Sequence, residues 1–161
     1  MIIRVSARFQ HCHPGIALKR NLPPRPFPLT WDVDLLIHGR SQYLVIASEE
    51  YSLYSLLFPV GRSERIDSFL IPFSKRVAQL GGDISSQPPR AADMVFSNRV
   101  NRHVIGSQND LLFITHELLK EVDKSISPEL VGRIEQMLNA TPMSYLEMNN
   151  PADAFAKRMR E

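Results

Sequence analysis

The chain has a single cysteine, Cys12, so no intrachain disulfide braces it, and that scarcity favours a reducing compartment. It has no apolar run near the ~20 residues that a bilayer-crossing helix needs. Leu56-Leu57-Phe58 and Leu111-Leu112-Phe113-Ile114 are short runs, which read as core. Met1 to Ser6 is interrupted by Arg4 and lacks the apolar stretch of a secretory signal, so a cytoplasmic location without membrane contact is expected. A Gly-x-x-x-x-Gly-Lys-Ser/Thr phosphate loop is missing, as is a Gly-x-Ser-x-Gly elbow, so neither chemistry is marked in the sequence. No second cysteine or paired-histidine spacing accompanies His11-Cys12-His13, and neither a metal nor a cofactor is expected.

What is present is ordinary globular composition. At 161 residues the chain suits one domain, 1–161, with a core large enough to stand without staples. The net charge is only +2, but it is unevenly placed. Residues 1–30 hold Arg4, Arg8, Lys19, Arg20 and Arg25 and no carboxylate. Residues 31–60 hold Asp32, Asp34, Glu49 and Glu50 against Arg40 alone. A basic arm of this kind suits a phosphate backbone, and it equally suits its own acidic neighbour.

Periodicity predicts an α+β fold: an antiparallel meander of about four or five strands, covered mainly on one face by three or four helices. Met1 to Ser6 reads as a first strand, followed by a basic, proline-rich loop over 13–30. Trp31, Val33, Leu35 and Ile37 alternate with polar Asp32 and Asp34, a strand with one apolar face. A turn at Gly39 leads into Tyr43 to Ala47, and Tyr51 to Phe58 reads as the third meander strand. Ile66 to Leu80 has helical spacing ending at Gly81-Gly82, with Pro72 expected to kink or split it. Ala91 to Asn98 reads as a further strand. Ser107 to Asp110 has the form of a capping box before a helix through Leu111, Ile114, Leu118 and Val122. Ser127-Pro128-Glu129 starts the next helix, and 141–161 is irregular apart from a short helix over Ala152 to Arg160.

Few constellations carry chemistry. Arg99, Arg102, His103, Gly106, Ser107 and Asn109 surround an expected helix start, where free amides and guanidinium groups suit an anion. The plainer reading makes Ser107 a cap and the arginines solvated. His11 and His13 would share one face of an extended segment and flank the Cys12 thiol. Asp32 and Asp34 share a strand face and suit acid–base work, although on a half-buried strand such a pair faces water. His116 falls on the exposed side of its helix, with no nucleophile order around it.

The stretch Asn101-Arg102-His103-Val104-Ile105-Gly106-Ser107-Gln108-Asn109-Asp110 resembles a bacterial family of unknown function whose members carry an Arg-Ser-Val-Leu-Gly-Ser-Met-Asn-Asp-like segment before a long helix. Thr141-Pro142-Met143 matches a C-terminal turn of that family. His103 stands in place of the family's Ser and Gln108 in place of its Met. The resemblance implies a bacterial, cytoplasmic α+β domain and carries no activity with it.

The expected function is a binding or accessory protein for a phosphate-bearing or acidic partner, nucleic acid included. It would use the basic arm (Arg8, Lys19, Arg20, Arg25) and the Arg99–Ser107 loop. One alternative is a metal-independent phosphodiesterase with His103 as acid/base and Arg102 as charge stabiliser. Another is a protein-binding subunit of a toxin–antitoxin or defence operon.

Overall fold

A computed structural model describes residues 1–20, 22–80, 93–120, 122 and 126–161. Its chain order is β1 (Ile2–Val5), α1 (Ala7–Cys12), β2 (Leu18–Lys19), β3 (Thr30–His38), β4 (Gln42–Glu49), β5 (Ser55–Gly61) and α2 (Asp67–Leu80). There follow β6 (Val95–Asn98), α3 (Arg102–Leu119), α4 (Pro128–Ala140), a 3-10 turn (Ser144–Leu146) and α5 (Pro151–Arg158). No described helix is long and apolar enough to cross a membrane.

The fold is α+β, but the sheet is mixed. Its six strands run in the order β2-β6-β1-β3-β4-β5. The meander β3-β4-β5 is antiparallel as expected, with Val33 opposite Ala47 and Val45 opposite Phe58. The remaining pairs, β1 with β3, β1 with β6 and β2 with β6, are parallel. The reason lies in β1, whose four residues are all buried, so it occupies the middle of the sheet. A strand covered on both faces shows no alternation, and parallel partners reach it only through crossovers.

Helices cover both faces rather than one. Trp31, Val33 and Leu35 of β3 pack with Phe9 of α1 and with Phe69, Phe73 and Val77 of α2. Trp31 meets Phe73 edge-to-face at 5.4 Å between ring centroids, and Phe69 meets Phe58 likewise at 5.4 Å. On the other face, Leu44, Ile46 and Leu57 pack under Val104, Leu111 and Leu112 of α3 and Ile134 and Leu138 of α4.

Several boundaries move for local reasons. Tyr51 to Tyr54 forms a turn, so β5 begins at Ser55; Leu53 there takes φ 58, with its amide bonded to Glu49 O at 2.8 Å. Gly39 has φ 59 in the β3–β4 turn, a conformation that costs glycine nothing. Pro72 lies inside α2, which runs unbroken from Asp67 to Leu80. The expected stop at Gly81-Gly82 and the start of the strand at Ala91 lie outside the described residues. Ser127 caps α4 as expected, accepting from Leu130 N at 3.2 Å.

The free edge of β5 is closed by side chains of α4. Asn139 accepts from Ser55 N at 2.8 Å and donates to Ser55 O at 2.9 Å. Glu135 accepts from Leu57 N at 2.9 Å and is forked to Arg76 of α2. These groups satisfy backbone that would otherwise invite another strand.

Candidate functional site

The even-numbered positions of β3 carry Asp32 and Asp34, and neither faces water. Register places Ser97, Arg4, Asp32, Ser48 and Ser55 side by side, one per strand, across five strands of the sheet. All five are buried, a polar belt on the face that α3 and α4 cover. Burying it requires that its groups be partnered from above.

Arg99, on the short link between β6 and α3, is the main partner. Its side chain is only 8% exposed. Nε donates to Asp32 Oδ1 at 3.0 Å, Nη1 to Asp34 Oδ2 at 3.1 Å, and Nη2 to Gln108 Oε1. Gln108 of α3 returns its Nε2–H to Asp32 O at 2.8 Å and to Ser48 Oγ at 3.2 Å. Asp34 Oδ1 accepts from Ser6 Oγ at 2.6 Å, and Ser6 in turn caps α1 by accepting from Phe9 N. One guanidinium therefore ties β3 to α3, and each of its three nitrogens is engaged.

Lower on the same face, Arg4 Nε lies 3.4 Å from Glu50 Oε2, and its Nη2 donates to Leu22 O at 3.3 Å. Glu49 Oε2 accepts from Tyr51 N, Ser52 N and Ser52 Oγ, holding the turn. Asp32 Oδ2 and Glu49 Oε1 are buried with no hydrogen bond among the described residues. Asp32, Asp34 and Glu50 thus share two guanidinium groups, while Glu49 has neutral donors. Burial pushes Asp32 up to about 6 in spite of Arg99, and pushes Glu49 up to about 7 in spite of its three donors.

Helix α3 starts six residues earlier than a cap at Ser107 would place it. Asn101 is its cap, accepting from His103 N at 3.1 Å and Val104 N at 3.3 Å. Ser107 sits inside the helix, buried, and is not the cap. The first amides are consequently occupied by a side chain.

Of the residues expected at an anion site, Arg102, His103, Gly106 and Ser107 line one cavity of about 340 Å3 together with Asp110, Ser144 and Tyr145. Arg99 faces inward, and Asn109 is exposed outside that lining. The His103 and Tyr145 rings are nearly parallel, 15° apart, with centroids separated by 6.1 Å. Tyr145 also borders a second cavity of about 570 Å3 with Tyr51, Lys157 and Arg158, where the Arg158 guanidinium lies 5.5 Å above the Tyr51 ring. Lys157 and Arg158 stand in the last turn of α5, whereas Tyr51 and Tyr145 escape a reading by spacing, since the turns they lie on carry no period. The signal available for them was aromatic residues in polar connections, where packing gives no reason for them.

The basic arm lines neither cavity. Arg8 donates to Leu35 O at 3.0 Å, the Arg25 amide donates to Thr30 Oγ1, and Arg20 is exposed. Lys19 lies on β2, at the far edge of the sheet. His11 is exposed in the last turn of α1 and His13 is that helix's C-cap, so the segment is helical rather than extended. His116 is exposed beside Glu117. Among the described residues no group of three or more His, Cys, Asp or Glu is arranged to hold a metal ion.

No protein-family model matches this chain, and no curated protein matches it. The family resemblance rests on the Arg102 to Asp110 stretch and on Thr141-Pro142-Met143 alone.

Proposed function

We propose that this chain is a binding protein for a phosphate-bearing partner with an unstacked base, namely single-stranded nucleic acid, taken up on the surface around Tyr145. The observation that carries this is the near-parallel pair His103–Tyr145 beside exposed Arg102, with one cavity on each side of Tyr145. Aromatic faces hold successive bases, and cations follow the backbone between them. Arg102 supplies charge at one cavity, and Lys157 and Arg158 at the other, where Glu147, Asp153 and Glu161 also stand and Glu161 lies 3.6 Å from Arg158. Asp110 and Asp153 border the same cavities and suit the exocyclic amines of a base.

The test is fluorescence anisotropy with a labelled single-stranded oligonucleotide, DNA and RNA in turn, at about 50 mM and about 200 mM salt. Binding is expected to weaken with salt and to drop in both Tyr145→Ala and Arg102→Ala. Absence of binding to either strand at the lower salt, or binding indifferent to both substitutions, overturns the reading.

A further inference from the structure

We propose that the β2 edge of the sheet carries a second, separate binding site, for a small amphipathic carboxylate such as a medium-chain fatty acid. The site is a cavity of about 620 Å3 between the end of α1, β2 and the start of α2. That volume lies within the usual span of small-molecule sites, roughly 300–1,000 Å3.

Its walls include Ile16, Ile66, Met94 and Phe96. Met94 is buried, and the other three are partly buried and rest against the core beneath. The floor is thus a continuation of the core, left accessible from outside. The charged residues of the lining are Lys19 and Arg65, and no carboxylate is among them. Arg65 reaches Asp67 at 3.8 Å, but both side chains are mostly in water, where such a pair holds little. An apolar floor with a cationic rim complements an apolar body with an anionic head.

His13 adds a polar group to the wall. It lines the cavity, and its Nε2 is buried with no hydrogen bond among the described residues. Phe9 packs on the ring at 4.8 Å between centroids and fixes its orientation. Burial lowers its pKa, which favours the neutral ring. Cys12, the chain's one thiol, lines the same cavity and reports on its occupancy.

The experiment is calorimetric titration with sodium decanoate, with decanol and decyltrimethylammonium as controls, while alkylation of Cys12 by a maleimide is timed. Decanoate is expected to bind one per chain and to slow alkylation. Decanol should bind about tenfold more weakly or worse, and the ammonium compound should not bind. Lys19→Glu combined with Arg65→Glu should lower decanoate affinity about tenfold or more with the melting midpoint in place, since both side chains are exposed. Ala17→Trp should fill the cavity and abolish binding. No saturable heat with decanoate, decanol binding as tightly, or affinity unmoved by the double charge reversal would each overturn the proposal.

Discussion

Arg99, on the link between β6 and α3, and Arg102, the first residue of α3, stand three residues apart and have opposite fates. Arg99 turns inward, where three nitrogens meet Asp32, Asp34 and Gln108. Arg102 lies beyond the Asn101 cap and opens to water beside His103 and Tyr145. The difference is set by what each can reach. The buried belt of β3 presents two carboxylates that need a cation, whereas the first turn of α3 already has its amides capped. A basic residue near a helix start is therefore weak evidence for an anion site until the buried acids have been counted. Here the inward arginine builds the scaffold, and the outward one faces water.

The comparison is broken most directly by removing the inward residue. Arg99→Ala strands two buried carboxylates and the Gln108 amide and should cost about 3–5 kcal/mol, read from urea denaturation. A cost near that of a surface change would mean that the network holds nothing. Asn139→Ala, at the closed β5 edge, should cost roughly 1–3 kcal/mol, because Ser55 N and O lose their partner inside the protein. Asn101→Ala should cost about 1 kcal/mol, whereas Ser107→Ala, inside the helix, should cost less. The reverse order would return the cap to Ser107.

Two buried carboxyl groups also set a pH dependence. Asp32 and Glu49 are held above the ordinary carboxylate range, to about 6 and about 7. The folded state therefore binds more protons than the unfolded one between about pH 4 and pH 7. Their contribution to stability is full below pH 4 and is lost as pH rises through those values. Glu49→Gln keeps an acceptor for Tyr51 and Ser52 and should flatten that part of the curve. A wild-type curve that rises steadily from pH 5 to pH 7 would show that these groups are not raised. The smallest effect belongs to Arg102→Ala, within about 0.5 kcal/mol of wild type in stability.

Much of the fold was legible in the sequence because the meander strands and the amphipathic helices each have a period. Trp31, Val33 and Leu35 alternate, and Phe69, Phe73 and Val77 repeat at helical spacing. The parallel half was not legible, because β1 is buried on both faces and β2 has only two residues. Asp32 and Asp34 were assigned to water by the same alternation that found their strand correctly. Alternation reveals that a strand has two unlike faces; it does not reveal that a distant arginine neutralises the polar one. At the candidate site, Arg102, His103, Gly106 and Ser107 were in view together. Tyr145 was not, because it lies on a 3-10 turn followed by left-handed Glu147 and Met148, where no repeat marks it.

The central claim is that two neighbouring arginines divide scaffold from surface. It is tested by measuring Arg102→Ala twice on the same preparation, by urea denaturation and by anisotropy with a single-stranded oligonucleotide at about 50 mM salt. The account predicts an unchanged denaturation midpoint with clearly weakened binding. A lowered midpoint, or full binding with an intact fold, would contradict it.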